Sequence, residues 1–146
     1  MDNIDSARRL IEEVRRLGTR DFCVCAGSRN SPLLAVLGTD VYSFVDERSA
    51  AFFAIGRSKL HGAPVAVVTT SGTAAAELLP AAIEAYYSGI PLILITADRP
   101  ARFRGTGAPQ SIEQLGLFGV YAETALQSWS GARPLHLNIE FDEPLL

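Results

Sequence analysis

Pro64-Val65-Ala66-Val67-Val68-Thr69-Thr70-Ser71-Gly72-Thr73, with the run from Ala74 to Tyr87 behind it, sets the architecture of this chain. Pro64 to Val68 is a short β-branched run of the kind that fills a strand buried on both faces. It breaks at Ser71-Gly72-Thr73. From Ala74 the pattern turns helical, is punctuated by Pro80, and is closed by Gly89. A second apolar run, Pro91 to Thr96, follows at once. A strand, a crossover helix and a strand form a βαβ unit, and its two strands lie parallel.

The same alternation extends toward the amino terminus. Ile4, Ala7, Leu10, Ile11, Val14 and Leu17 form an apolar stripe at helical spacing, stopped by Gly18. Phe22 to Cys25 reads as a buried strand ending in the turn Gly27 to Pro32. A short helix from Pro32 to Leu37 follows, with Ser31 as its N-cap. Val41 to Val45 is the next strand, and Asp46-Glu47-Arg48 opens a helix reaching Leu60. Toward the carboxyl terminus, Asp98 to Gln110 is an Arg-, Gly- and Pro-rich loop. Ile112 to Phe118 reads as a short helix and Pro134 to Ile139 as a last strand. The fold class is α/β, an open and mostly parallel sheet with helices on both faces, as one domain over residues 1–146.

Composition removes several function classes. Thirteen basic against sixteen acidic residues give a net charge of −3, which argues against nucleic-acid binding by bulk charge. The longest apolar runs are too short to span a bilayer, and the first residues lack a signal-type apolar core, so a cytoplasmic location is expected. Cys23 and Cys25 read as buried free thiols. With His61 and His136 far from them, no metal-ligand set is expected. No P-loop lysine and no G-x-G-x-x-G occur, which disfavours a nucleoside triphosphate or a Rossmann dinucleotide.

In open parallel sheets, ligands bind beyond the carboxyl ends of the strands. The strand ends here are Ala26-Gly27-Ser28-Arg29, Asp46-Glu47-Arg48, Thr70-Ser71-Gly72-Thr73 and Ala97-Asp98-Arg99-Pro100. Each has a plain reading beside a functional one. Gly27-Ser28-Arg29 is either a turn with a solvated arginine or an anion site made of N–H groups, hydroxyl and guanidinium. Ser71-Gly72-Thr73 is either a helix cap or an anion-binding turn. Glu47 is either a first-turn acid or a carboxyl at the mouth of the sheet, able to exchange a proton with a ligand nitrogen. Arg99, Arg102 and Arg104 form a charged loop that suits a di- or tricarboxylate, with Gln110 offering an amide.

Taken together, these motifs resemble the amino-terminal domain of thiamine-diphosphate enzymes of the 2-succinyl-5-enolpyruvyl-6-hydroxy-3-cyclohexene-1-carboxylate synthase family of menaquinone biosynthesis. The resemblance is carried by Cys25-Ala26-Gly27-Ser28-Arg29-Asn30-Ser31-Pro32-Leu33, Val45-Asp46-Glu47-Arg48 and Val68-Thr69-Thr70-Ser71-Gly72-Thr73-Ala74. Glu84-Ala85, Leu94-Ile95-Thr96-Ala97-Asp98-Arg99-Pro100, Gly107-Ala108-Pro109-Gln110-Ser111-Ile112, His136-Leu137-Asn138 and Glu143-Pro144-Leu145 continue it in order. It implies a pyrimidine-binding domain in which Glu47 bonds N1′ of the cofactor's aminopyrimidine and Ser71, Gly72 and Thr73 lie near the cofactor. It also implies that Ser28, Arg29, Arg99 and Gln110 surround the carboxylates of 2-oxoglutarate and isochorismate. Mg²⁺ and the diphosphate are implied on a domain outside residues 1–146.

The sequence departs from the family at Ala26 and Pro109, where the family usually has Pro and Asn. It is also short between Leu126 and Arg133, where only Gln127 to Ala132 remain of a longer stretch with a helix. That shortening implies a core left open or covered by a partner. The partner implied is a second copy, through the apolar helices around Ala50 to Ala54 and Ala74 to Tyr87, or a chain carrying the diphosphate-binding domain. Three readings stay open: part of such a synthase, inactive alone; a stand-alone module binding a carboxylate or a protein; and an enzyme of the acetolactate-synthase kind. The Gly-Ser-Arg and Asp-Arg-Pro elements oppose the last.

Overall fold

A computed structural model describes residues 2–146. Five parallel strands, β1 (Asp21–Val24), β2 (Tyr42–Ser43), β3 (Val65–Thr69), β4 (Leu92–Asp98) and β5 (Leu135–Glu140), form one sheet in the order β2-β1-β3-β4-β5. The chain moves outward from β1 to β2, returns to β3, then moves the other way to β4 and β5. The reversal lies between β1 and β3, and a crevice outside their carboxyl ends is where such sheets bind ligands.

The period-2 alternation of the strands splits the core in two. Phe22, Val24, Ala66, Val68, Ile93 and Ile95 face α1 (Asn3–Arg16) and α2 (Ser31–Leu37). Cys23, Val65, Val67, Leu92 and Leu94 face α3 (Glu47–His61) and α5 (Leu79–Ser88). The expected α/β architecture, with helices on both faces, is what the structure shows. In α1, Ala7, Ile11 and Val14 are wholly buried, as the stripe requires, and Gly18 leaves the helix at φ 96°. Cys23 and Cys25 are buried free thiols, pushed up to about 12 chiefly by burial. No helix among the described residues is long and apolar enough to cross a membrane.

Four local expectations fail, each for a physical reason. The helix expected from Ala74 to Tyr87 is two, α4 (Thr73–Ala76) and α5. Pro80 has no N–H for the helical bond back to Ala76, but it is tolerated in the first turn of α5. The strand expected at Val41 to Val45 pairs only at Tyr42 and Ser43. Val45 there is fully exposed, and the chain turns directly into α3. Ser31 is the first residue of α2 rather than its cap. Asn30 precedes it and uses its side chain on the turn, accepting from Gly27 N–H at 2.9 Å and donating to Cys25 O at 2.9 Å. Ile112 to Gln114 is irregular and Leu115 to Phe118 forms a turn instead of a helix, with Leu117 N–H on Gln114 O and Gly116 at φ 73°. The inward residue there is polar, Gln114.

The shortened stretch closes tightly on itself. Trp129 Nε1 donates to Arg133 O at 2.8 Å, and Glu123 bridges the outer side of β5 through Pro134 O and His136 N–H. Leu126 and Trp129 pack against the α1–α2 side of the core.

His136 carries a pH-dependent share of the stability. Its ring is buried, meets Phe118 edge-on at 4.6 Å between ring centroids, and has its Nε2 2.8 Å from Thr96 Oγ1. Burial pulls its pKa down from 6.5 to about 4, against a smaller opposing pull from Asp98. The unfolded chain therefore takes up a proton below about 6.5 that the folded chain refuses. The contribution is complete above 6.5 and is lost as pH falls toward 4, on the order of 3 kcal/mol. Denaturant titrations across this window should show that slope, and His136→Gln should flatten it.

Candidate functional site

The site is built where β1 and β3 end. Cys25 N–H still bonds Val68 O at 3.0 Å, so the two strand ends stay in register as they leave the sheet. A Cβ on Gly27 would stand 2.5 Å from Thr70 Cβ. No side chain larger than hydrogen fits between them, which brings the Gly27-Ser28 turn against the Thr70-Ser71 turn.

Glu47 is the first residue of α3, half-buried beside this junction. The capping role at this helix falls to Asp46, whose Oδ2 accepts from Ser49 N–H at 3.0 Å. That hydrogen bond and the Ser49 hydroxyl hold the Asp46 carboxyl below its ordinary range. Glu47 makes no side-chain hydrogen bond or ion pair among the described residues, and its charge helps raise the Cys25 thiol. A half-buried carboxylate at a sheet mouth, with the cap supplied by its neighbour, is free to meet a ligand.

Ser71 is buried and Thr73 exposed on either side of Gly72. Gly72 adopts φ 83°, a conformation that favours glycine, and a Cβ there would stand 2.9 Å from Gln110 Cα. Gln110 lies directly over the turn, in a left-handed conformation at φ 53°, with Nε2 donating to Ser71 O at 3.4 Å. The turn expected at the cofactor and the amide expected at the substrate are therefore neighbours. Gly72 N–H is not open to an anion, because it donates to Gln114 Oε1 at 2.8 Å.

Arg99 donates from Nε to Pro109 O at 2.8 Å and stacks over Phe103. Its terminal nitrogens have no hydrogen-bond partner among the described residues. Arg102 and Arg104 differ from the expectation of three arginines ready for a carboxylate ligand. Arg102 pairs with Asp142 at 2.6 Å, and Arg104 with Asp98 and Glu140 at 2.7 and 3.0 Å. Asp98 is wholly buried and also accepts from Asn138 Nδ2 at 2.9 Å.

Ser28 is exposed, but Arg29 is only 3% exposed. Arg29 Nη1 donates to Phe141 O at 2.9 Å, and Nη2 lies 3.1 Å from Glu143 Oε1. This guanidinium already holds a carboxylate, the chain's own. Arg29→Met should leave Phe141 O unpaired and cost about 2 kcal/mol, read as a melting temperature lower by roughly 4–8 °C.

Gln114 is not among the expected site residues, and Asp98 and Asn138 stand in the sequence only within the Ala97-Asp98-Arg99-Pro100 strand end and the His136-Leu137-Asn138 stretch, with no role of their own. The signal available is small: a Glu113-Gln114 pair between Ile112 and Leu115, and polar residues at Thr96 and Asp98 in a strand buried throughout. Among the described residues, no group of three His, Cys, Asp or Glu side chains is arranged to hold a metal ion. A cavity of about 490 Å³ lies at the opposite, amino-terminal edge of the sheet, beside Arg20, Arg57 and His61. Arg57 there is bonded to Asp21 at 2.8 Å.

Residues 4–117 match the family described as thiamine pyrophosphate enzyme, N-terminal TPP binding domain. The chain belongs to this family. Glu47, Ser71 and Gln110 all fall at the carboxyl edge of its parallel sheet.

Three similar proteins carry the name 2-succinyl-5-enolpyruvyl-6-hydroxy-3-cyclohexene-1-carboxylate synthase. The one from Bdellovibrio bacteriovorus is 50% identical, aligned over all of this chain and 31% of its own length. That from Akkermansia muciniphila is 54% identical over 87% of this chain and 27% of its own length. That from Synechocystis is 44% identical over 99% of this chain and 29% of its own length. The chain thus spans under a third of each of these relatives. The Bdellovibrio alignment runs 161 positions against the chain's 146, so that relative carries residues with no counterpart here.

The residues present fit the pyrimidine side of thiamine diphosphate. The Glu47 carboxylate is half-buried, has no partner among the described residues, and lies near enough to Cys25 at the end of β1 for its charge to raise that thiol. Gly27 lets its turn seat directly against Thr70, and Gly72 lets Gln110 seat directly on the Ser71-Gly72-Thr73 turn, so the walls of the site are held close together.

Proposed function

We propose that this domain supplies the pyrimidine side of the active site of a thiamine-diphosphate synthase that decarboxylates 2-oxoglutarate and adds the remaining four-carbon unit to isochorismate. The observation that carries the reading is Glu47: half-buried, relieved of capping by Asp46, and without a protein partner among the described residues. When bound, thiamine diphosphate supplies the nucleophilic carbon and the electron sink for decarboxylating a 2-oxo acid.

Glu47 holds a proton against the ring nitrogen of the aminopyrimidine and takes it back as the cycle turns. Ser71 and Thr73 flank the ring, and Gly27 and Gly72, by letting Thr70 and Gln110 pack directly against them, fix the wall beside which it rests. Arg99, with its terminal nitrogens unpaired, orients a substrate carboxylate, and Gln110 and Ser28 offer neutral hydrogen bonds beside it. Arg29 holds the Phe141–Glu143 segment at the rim and reaches a substrate carboxylate only if Glu143 leaves it.

No group of three His, Cys, Asp or Glu side chains among the described residues is arranged for a metal, and in this reading the active assembly brings Mg²⁺ and the diphosphate to the site from another domain or a second copy. Phe52, 43% exposed on α3, and Tyr87, 75% exposed on α5, mark the face for that association. The name shared by the relatives supports the substrates, and the family match supports the cofactor.

The test is a chimera in which this chain replaces the matching segment of the Bdellovibrio relative, assayed with thiamine diphosphate, Mg²⁺, 2-oxoglutarate and isochorismate. Turnover requiring all four is the expected result. A folded chimera that binds carboxylates without turnover would instead favour a non-catalytic module.

A further inference from the structure

Gln114 is wholly buried, in irregular chain just before the turn at Leu115 to Phe118 rather than in a helix. Its Oε1 accepts Gly72 N–H at 2.8 Å. Its Nε2 donates to Ala97 O at 3.2 Å and to Asn138 Oδ1 at 2.8 Å. Asn138 Nδ2 then donates to Asp98 Oδ2 at 2.9 Å. The direction of this relay is fixed at both ends, because a backbone N–H only donates and a carboxylate only accepts. Thr96 Oγ1 gives its one proton to Asn138 Oδ1 at 2.7 Å, so it accepts from His136 Nε2–H.

A buried amide is a costly way to fill space, since each polar atom left unpaired loses its hydration without return. Gln114 has both of its polar atoms paired, and its partners lie on three separate elements: the turn after β3, the end of β4, and β5. Groups given ligand roles above lie on either side. Ser71 and Thr73 flank Gly72, Gln110 packs on Gly72, and Arg99 follows Asp98.

The geometry points to Gln114 as a positioning residue that locks the Ser71-Gly72-Thr73 turn to the Asp98-Arg99 strand end, fixing the distance between the cofactor side and the carboxylate side of the site. This role rests on the site reading under Proposed function. Gln114 touches no ligand itself, and it withdraws Gly72 N–H from ligand binding.

Amide hydrogen exchange followed by NMR on the chain tests the lock directly. Gln114→Met keeps the volume and removes the acceptor, and Gln114→Glu keeps an oxygen for Gly72. Exchange at Gly72 should rise at least tenfold in Gln114→Met, with β1 and β3 amides held near wild-type protection, and should return to within about threefold in Gln114→Glu. An unchanged Gly72, or an equal rise across the whole core, would overturn the role. If Gln114→Met does not fold, Gln114→Asn, one methylene short, gives the same comparison.

In the chimera, Gln114→Met should raise the KM for thiamine diphosphate about tenfold with kcat little changed. A fall in kcat at constant KM would contradict positioning. A wild-type chimera without turnover defeats the enzymatic reading, while the exchange data still decide whether Gln114 locks the turn.

Discussion

Glu47→Gln should abolish most of the turnover of the chimera, by roughly 10²- to 10⁴-fold, the range lost when a positioned proton-exchanging group is removed. Folding should be untouched. Gln is nearly isosteric, and the cap of α3 belongs to Asp46. The competing reading, a first-turn acid serving the helix dipole, predicts a different pattern. It assigns Glu47 about 0.3–1 kcal/mol of stability and no effect on rate. Asp46→Ala is the matched control: loss of the cap should cost about 1 kcal/mol and leave turnover largely intact. Rates and melting curves on the two variants separate the roles of adjacent acids. Equal turnover by wild type and Glu47→Gln would refute the role given to Glu47.

Gly27→Ala should be among the most damaging small changes in the molecule. The added carbon would lie 2.5 Å from Thr70 Cβ, 2.7 Å from Cγ2 and 2.8 Å from Oγ1. These are not contacts with the far end of a flexible side chain. Thr70 Cβ is fixed to the backbone, so relief requires parting the ends of β1 and β3. Overpacking of this kind costs about 1–3 kcal/mol, and the rigidity here argues for the upper end, a melting temperature lower by roughly 6–12 °C.

Parting the strand ends would also shift Ser28 away from Ser71, so chimera turnover should fall with stability. The cause is checked by a double-mutant cycle. Thr70→Gly removes the opposing Cβ, and Gly27→Ala in that background should cost much less than in wild type, a positive coupling of 0.5–3 kcal/mol. Additive effects would show that the damage arises elsewhere.

What was legible in the sequence follows from what local pattern encodes. Strand and helix periods report burial on one or two faces, so α1, β1, β3 and β4 appeared close to their true places. The strand ends were legible because polar and small residues interrupt apolar runs there, and a parallel sheet carries all such ends to one edge. Tyr42–Ser43 was overextended because an edge strand pairs on one side only, and the hydrophobic Val45 beyond it meets solvent. The helix from Ala74 was merged because composition favours helix throughout, while one missing N–H at Pro80 divides it.

The inner half of the site was illegible for another reason. Arg102, Arg104 and Arg99 look alike in the sequence, yet two find internal carboxylates and one does not. Asp142 reaches Arg102 from 40 residues away and Glu140 reaches Arg104 from 36, while Asp98, six residues before Arg104, is placed by the end of β4. Gln114 carried a helical-looking context and revealed itself only through partners 42 and 24 residues away. Nothing in spacing alone predicts such pairings.

The central claim is that these 146 residues form one side of a thiamine-diphosphate site. It is tested most directly by assaying 2-oxoglutarate decarboxylation dependent on isochorismate in two samples. One holds this chain alone, and the other holds it joined to the remaining length of the Bdellovibrio relative, both with saturating cofactor and Mg²⁺. Turnover in the joined protein and none in the chain alone is the predicted result. Robust turnover by the chain alone would contradict it.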